Sequence, residues 1–297
     1  VNPSVYNFPL EKKIKYLPFF PHVKIRKPQA AAIEFALDSF INKNKKVVVI
    51  QAGTGVGKSA IGVTVGRYLN SQFKTSEDFG KGCYYVTTQK ILQDQYVRDF
   101  SPPRGSMCSI KSSKNYNCKF SRGKTCGEAQ TLLRTEDKDS PFFKACSYHC
   151  VYKQEKRDFI DSVESVTNFP YFMTDAAYSG KITPRNVLVI DEAHNVEGEL
   201  SKFVEVSVSE RFAKHSLKLA WPRKTTQYQV HRWIRDVYYP KAKSQLDHFE
   251  KTLKQTGLKS RIKEFITISK QYDMLSGHVE KMETFLSVYD PANWVME

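Results

Sequence analysis

The sequence predicts an α/β fold built on a parallel sheet, and three apolar stretches support this prediction. Residues 47–50 lead into a glycine-rich loop and then into a helical pattern. Residues 83–86 precede a second helical pattern, and two acidic residues directly follow residues 186–190. Short apolar strands that alternate with helices are typical of parallel sheets, whose strands are buried on both faces. We therefore expect all three stretches to be buried strands.

The most informative stretch is residues 46–59, which read KVVVIQAGTGVGKS. A strand, a glycine loop, Gly-Lys-Ser and a helix, in that order, form a phosphate-binding P-loop, because loop N–H groups and a helix N-terminus attract phosphate. Lys58 is expected to reach the β- and γ-phosphates, and the Ser59 hydroxyl to hold Mg²⁺. Ala52 replaces the usual first Gly and leaves Gly-Lys-Ser intact. The predicted phosphate-binding residues are Gly53, Thr54, Gly55, Val56, Gly57, Lys58 and Ser59.

A helix is predicted to begin at Pro28, because Pro suits the first turn and apolar residues follow at helical spacing. Gln29 then lies at a helix start just before the P-loop strand. Its amide can pair with both a donor and an acceptor of adenine. We expect Gln29 to contact the base.

Asp191 and Glu192 follow the strand at 186–190 in the sequence Asp-Glu-Ala-His. Ligands of α/β sheets bind at the carboxyl ends of the strands. After a P-loop, this pattern predicts that Asp191 holds Mg²⁺ and that Glu192 polarises the attacking water. Lys58, Asp191 and Glu192 are therefore the expected catalytic residues of ATP hydrolysis.

The formal net charge of +15 over 297 residues indicates a polyanionic partner. Between Phe100 and Gly127 the chain has several Lys and Arg, no acidic residue, and two interleaved aromatic residues, Tyr116 and Phe120. Such a loop suits stacking on single-stranded nucleic acid, and a solvated charge run is the alternative. The residues expected to bind DNA in this loop are Lys114, Tyr116 and Lys119.

Thr87, Thr88 and Gln89 end the second predicted strand, beside a helix N-terminus. Hydroxyl and amide groups in that position suit phosphodiester contacts. An ordinary βα unit explains the three residues by themselves more simply.

Neither a membrane span nor a signal peptide is predicted from the apolar runs and the first residues. We expect no membrane partner. The expected location is the cytoplasm (associated with the nucleoid) or the nucleus, and the protein is not expected to be secreted. Cysteines in such a protein indicate metal binding or catalysis before disulfides.

Four cysteines, Cys118, Cys126, Cys146 and Cys150, lie in the loop-rich region after the second strand. Their spacing matches neither the paired Cys of a zinc ribbon nor a ferredoxin run. Spacing alone leaves Zn²⁺ and an iron–sulfur cluster about equally favoured, with buried free thiols as a third alternative.

The last third of the chain has mainly helical patterns, for example at 228–239, at 241–249 after a break at Pro240, and at 262–289. Lys and Arg outnumber acidic residues across 211–261, where Trp and Tyr are also frequent. The segment is expected to be a helical module that faces nucleic acid, and a basic solvated face is the alternative.

Together these motifs resemble the XPD/DinG type of superfamily 2 helicase. The matching pieces are Arg26-x-x-Gln29, AGTGVGKS, YVTTQKILQDQ, KNYNC, CVYKQEKR and VIDEAHN. The resemblance covers residues 19–200 well and the later helical segment only by placement. It implies a RecA-like P-loop domain, an inserted iron–sulfur cluster domain and a mainly helical Arch-like domain.

The implied domains are the first part of RecA-like domain 1 (residues 1–103), the iron–sulfur insertion (104–160), the rest of domain 1 (161–200) and an incomplete Arch-like domain (201–297). A cysteine cluster between the P-loop and the Asp-Glu-Ala-His sequence is characteristic of this type and favours a [4Fe–4S] cluster over zinc. The ligands implied by position are Cys118, Cys126, Cys146 and Cys150, with Cys108 as a spare.

The resemblance further implies a 5′→3′ DNA helicase that uses ATP and Mg²⁺ and threads single-stranded or forked DNA. Arg26 joins the nucleotide-binding residues, and His194 would couple the nucleotide site to DNA. No Ser/Thr-Ala-Thr tripeptide and no Gln-x-x-Gly-Arg motif occurs in the sequence. We therefore expect an N-terminal portion that needs a second helicase half in cis or in trans.

Two other functions remain open from the sequence. One is a non-motor nucleic-acid-binding or loading module with a vestigial ATP site. The other is a zinc-containing RNA-dependent ATPase.

Overall fold

The computed structural model describes residues 15–72, 80–101, 107–133, 136–223, 226–255 and 262–294, and the chain divides into two compact units. The first unit comprises residues 1–112 and 151–199, and the second comprises residues 113–150 and 200–297. The resemblance implies a separate insertion at residues 104–160, whereas residues 113–150 of that segment belong to the second unit together with residues 200–297.

The first unit is the α/β unit. In chain order its elements are α1 (Lys27–Ile41), α2 (Lys58–Gln72), β1 (Gly80–Thr87), α3 (Lys90–Phe100), β2 (Cys108–Ser109), α6 (Val151–Asp161), β3 (Glu164–Asn168), α7 (Phe169–Thr174), β4 (Arg185–Ile190) and the start of α8 (Val196–Val204). The strands form one parallel sheet in the order β2-β3-β1-β4. The predicted strands at 83–86 and 186–190 are thus confirmed, as are the helices after the P-loop and after Gln89.

Helices pack on both faces of the sheet, and alternate residues of β1 contact one face or the other. Cys83 and Tyr85 belong to the core formed with α1, α2 and α3. On the other face the Tyr84 ring stacks on Phe159 of α6, with centroids 5.9 Å apart. Both faces of β1 are therefore buried, as the sequence predicts for a parallel sheet.

The predicted strand at 47–50 is the exception. Among the described residues it pairs with no strand. Val47 and Val49 are each 77 % exposed, whereas Val48 and Ile50 pack against the core. The segment alternates in exposure as an extended chain does, and the prediction that it is buried on both faces is wrong.

The second unit is mainly helical. Its elements are α4 (Cys126–Leu132), α5 (Pro141–Tyr148), the rest of α8, α9 (Glu210–His215), α10 (Gln227–Trp233), α11 (Tyr239–Gln255) and α12 (Ile262–Val288). Its main core joins α9–α12 around Tyr238 and Met282. A smaller apolar cluster of Leu132, Leu253 and Phe265 packs α4 against α11 and α12. The cysteine-bearing segment is therefore part of this helical unit.

The predicted break at Pro240 does not occur. Residues Ile234–Tyr238 form a π-helical turn that joins α10 to α11, and Pro240 is the second residue of α11. Proline removes one N–H donor and crowds the preceding turn. A widened turn just before it accommodates that loss without ending the helix.

No helix in the described ranges is long and apolar enough to cross a membrane.

An ion pair between Arg67 of α2 and Glu164 of β3 ties helix to sheet in the α/β unit. Arg67 Nε and Nη2 donate to the two carboxylate oxygens at 2.6 and 2.8 Å, and both side chains are largely buried. We predict that Arg67→Met lowers the free energy of unfolding by about 3 kcal/mol, because it leaves Glu164 buried without its cation. Urea denaturation measures the loss.

The matched control is Arg98→Met, which breaks the exposed pair with Asp99. Its expected cost is below about 1 kcal/mol. Equal losses in the two variants would contradict a stabilising role for the Arg67–Glu164 pair.

Candidate nucleotide-binding site

The candidate site lies at the carboxyl edge of the sheet, where the P-loop meets the end of β4. An added Cβ on Gly62 of α2 would lie 2.8 Å from Val189 Cγ1, so helix and strand are in direct contact. Asp191 follows β4, and its N–H donates to the carbonyl oxygen of Val86 at 2.9 Å. This packing brings the first turn of α2 next to the acidic residues.

Ser59 and Asp191 are in contact although 132 positions separate them. Ser59 Oγ donates to Asp191 Oδ2 at 2.8 Å. A hydroxyl and a carboxylate side by side are hard oxygen donors of the kind that Mg²⁺ prefers. The two residues predicted to hold Mg²⁺ are therefore together, and their chemistry fits that ion.

Lys58 and Glu192 are also neighbours. Lys58 Nζ lies 3.7 Å from Glu192 Oε1 and donates to the carbonyl oxygen of Ala52 at 3.4 Å. Both side chains are about one-third exposed, so the ion pair contributes little to stability. Lys58 is thus held across the P-loop and is accessible to an incoming phosphate.

Glu192 has a left-handed backbone, with φ 54° and ψ 44°. This conformation is uncommon for a residue other than Gly and costs of order 1–3 kcal/mol. The Glu192 N–H donates to Asp191 Oδ1 at 3.0 Å, which offsets part of that cost. Such strain concentrates at functional sites, and the Glu192 carboxylate lies beside Lys58.

His194 lies beside Glu192, with Nδ1 3.3 Å from Glu192 Oε2. Its side chain is 71 % exposed. The histidine is therefore adjacent to the site and accessible to solvent, and its coupling role stays a prediction.

Arg26 and Gln29 both contact the P-loop region. Arg26 Nη1 donates to the carbonyl oxygen of Gly55 at 2.7 Å, and the Arg26 N–H donates to Gln29 Oε1 at 3.0 Å. An added Cβ on Gly57 would lie 2.5 Å from Gln29 Nε2. Gln29 is buried and packs against the loop at Gly57. Its contact with adenine stays a prediction.

One residue at the site was missed from the sequence as a functional group. Tyr96 of α3 donates its hydroxyl to Asp191 Oδ2 at 2.8 Å. The helical spacing of residues 91–96 indicated only a helix in this stretch. Gln93 lies on the same buried face of α3, so Tyr96 is not the only polar residue there and nothing in the pattern singles it out.

The comparisons with known proteins agree with this geometry. Residues 22–220 match the family model of the type III restriction enzyme res subunit, ResIII, which covers both the P-loop and the Asp191 strand. The chain belongs to the ResIII family. This is an N-terminal family of superfamily 2 helicases, and membership implies a nucleotide-hydrolysing, helicase-like enzyme. No curated protein matches the chain.

The residues predicted to bind DNA differ in exposure. Thr87 is 1 % exposed and donates its hydroxyl to the carbonyl oxygen of Gln89 at 3.0 Å, so it does not offer that group to a ligand. Thr88 is half-buried and Gln89 is exposed in this ResIII chain. Of these three predicted contacts, the geometry favours the last two.

In the helical unit, Lys114 and Lys119 are exposed and Tyr116 is half-buried. The Tyr116 carbonyl oxygen accepts a hydrogen bond from the Cys126 N–H at 2.6 Å, and the Cys118 N–H donates to the carbonyl oxygen of Lys124 at 2.9 Å. The basic loop is thus fixed by its backbone to the first turn of α4. Its lysines remain available to phosphate.

The four cysteines of the helical unit lie near one another. Cys126 Sγ and Cys150 Sγ are 3.5 Å apart. Burial, followed by the nearby thiols of Cys150, Cys146 and Cys118, raises the pKa of Cys126 to about 12. Within the described ranges, no group of three or more His, Cys, Asp or Glu residues is arranged to hold a metal ion. The predicted iron–sulfur ligation therefore has no support in this geometry.

Gly57 provides a test of the loop. Its φ of +87° is unfavourable for any other residue, and an added Cβ would collide with Gln29. We predict that Gly57→Ala weakens binding of a fluorescent ATP analogue at least about tenfold, because strain of 1–3 kcal/mol must be relieved by moving the loop.

The control for this variant is Gly198→Ala in α8, where an added Cβ meets no atom within 4 Å. It is expected to bind the analogue as the wild type does. Unchanged affinity in Gly57→Ala would show that the loop tolerates the side chain.

Proposed function

We propose that this chain is the N-terminal motor portion of an ATP-dependent 5′→3′ DNA helicase of the XPD/DinG type, which binds MgATP and single-stranded DNA. The main support for this proposal is that Ser59 lies beside Asp191, and Lys58 beside Glu192, at the carboxyl ends of the strands. The ResIII match supports a helicase-type motor, and the direction and the DNA substrate are our extension of it.

In the proposed reaction Lys58 leaves Glu192 and binds the β- and γ-phosphates of ATP. Ser59 and Asp191 would hold Mg²⁺, which neutralises charge on the phosphate oxygens when bound. Glu192, released from Lys58, would accept a hydrogen bond from the attacking water and orient it. The Lys58–Glu192 contact therefore represents the resting pairing of two groups that act separately on the substrate.

Single-stranded DNA is the proposed nucleic-acid partner. Supporting features are the net charge of +15, the exposed Lys114 and Lys119, and the exposed Gln89 at the end of β1. Full unwinding is proposed to need a second RecA-like half, because the sequence has no arginine-finger motif. Adding such a half in trans should permit unwinding of a 5′-tailed duplex, whereas a non-motor loading module would stay inactive.

Lys58→Ala tests the motor assignment. We predict that it removes ATP binding and ATP-dependent activity while leaving DNA binding and its salt dependence intact, since the phosphate-binding lysine is not expected to contact DNA. Equilibrium binding of a nucleotide analogue and of a single-stranded oligonucleotide at several salt concentrations measures both.

Lys81→Ala is the matched control. Lys81 is exposed near the amino end of β1, at the opposite edge of the sheet from Asp191. The Lys81→Ala variant also removes one positive charge, and it should preserve nucleotide binding. If Lys58→Ala lost both ligands equally, damage to the fold rather than to the site would be the explanation.

We also propose, on the sequence resemblance, that Cys118, Cys126, Cys146 and Cys150 bind a [4Fe–4S] cluster. The short Cys126–Cys150 distance supports proximity of the thiols, and the cluster is assigned no step in hydrolysis. We predict about four irons per chain and a broad visible absorbance in protein purified without oxygen.

Cys150→Ser is expected to lose the iron, whereas Cys108→Ser, which changes a residue of β2 outside the helical unit, is expected to retain it. One zinc per chain and no iron would overturn the cluster and favour the zinc-containing ATPase. The P-loop assignment would be unaffected.

A further inference from the structure

The Asp191 carboxylate is held by three donors from three parts of the α/β unit. Its Oδ2 accepts the Ser59 and Tyr96 hydroxyls, each at 2.8 Å, and its Oδ1 accepts the Glu192 N–H at 3.0 Å. Ser59 belongs to the helix that follows the P-loop, and Glu192 is the second residue of the acid pair. Tyr96 comes from α3, which neither motif includes.

The Tyr96 side chain has little freedom to point elsewhere. It is 2 % exposed, and its ring packs against Phe100 and Tyr85 with centroid distances of 5.2 and 5.8 Å. A Phe would fill the same space, so packing alone does not explain the hydroxyl. A buried hydroxyl is costly unless it is hydrogen-bonded, and here its acceptor is Asp191.

Tyr96 is a fixed hydrogen-bond donor to Asp191. The hydroxyl lies 2.8 Å from Asp191 Oδ2, and the buried ring keeps it there. The phenol O–H is the donor in this contact and the Asp191 carboxylate is the acceptor. A charge-assisted hydrogen bond of this kind is about twice as strong as one between neutral groups.

Metal-binding carboxylates depend on the groups that orient them, and loss of such a partner typically weakens metal affinity 10–100-fold. We propose that Tyr96 is a positioning residue for the metal site, whose hydroxyl holds Asp191 in the orientation that binds Mg²⁺ together with nucleotide. The inference deepens the proposed MgATP site and rests on it. Tyr96 touches neither nucleotide nor metal in this scheme and acts through Asp191.

The test is a Mg²⁺ titration of the full 297-residue chain at a fixed concentration of fluorescent ATP analogue. Tyr96→Phe keeps the ring and removes the hydroxyl. The Mg²⁺ concentration that gives half-maximal nucleotide binding should rise about tenfold. Nucleotide affinity measured in EDTA should stay as in the wild type, because the hydroxyl does not contact the phosphate-binding loop.

Tyr85→Phe is the matched control. Tyr85 is fully buried in the same aromatic cluster, and its hydroxyl donates to Glu164 at 3.2 Å rather than to Asp191. It should show the wild-type Mg²⁺ dependence. Thermal unfolding of both variants verifies that each is folded at the titration temperature.

The outcomes separate this inference from the proposed function. A wild-type Mg²⁺ dependence in Tyr96→Phe would overturn the positioning role while leaving the MgATP site in place. Equal shifts in Tyr96→Phe and Tyr85→Phe would also overturn it, because general loosening of the cluster would then explain the effect. Absence of Mg²⁺-dependent nucleotide binding in the wild type would overturn the proposed site, and the inference with it.

Discussion

The candidate site depends on how closely α2 approaches β4. A Cβ added to Gly62 would lie only 2.8 Å from Val189 Cγ1. Any larger side chain at this position would therefore displace the helix or the strand. This contact sets the distance between two motifs that lie far apart in the sequence. The hydrogen bond from Ser59 to Asp191 forms because α2 and β4 are already in contact. The position of Lys58 beside Glu192 depends on the same packing.

The cysteine segment and the C-terminal helices form one unit for a similar physical reason. Leu132, Leu253 and Phe265 bury apolar surface between them, and Lys270 of α12 pairs with Glu128 of α4 at 2.6 Å. The ion pair is largely exposed, so the apolar contact contributes more to stability. The basic loop that carries Lys114 and Lys119 is consequently anchored to the same body as the basic helices.

Local periodicity was enough to predict most helices and the strands at residues 83–86 and 186–190. It failed where a residue's environment is set by distant parts of the chain. Residues 47–50 have the composition of a fully buried strand, but exposure on one side depends on which strands lie next to them. Tyr96 appeared as part of a helical pattern, because its partner Asp191 is 95 positions away. Burial of Thr87 is likewise decided by the sheet around it.

The exposed apolar residues of the α/β unit have a consequence for handling the protein. Val47 and Val49 expose most of their side chains, Leu188 of β4 is 47 % exposed, and β4 is an outer strand of the sheet. An outer strand with exposed apolar residues is a template for intermolecular strand pairing and aggregation. Self-association should therefore increase with protein concentration and should be relieved by charged residues on this edge.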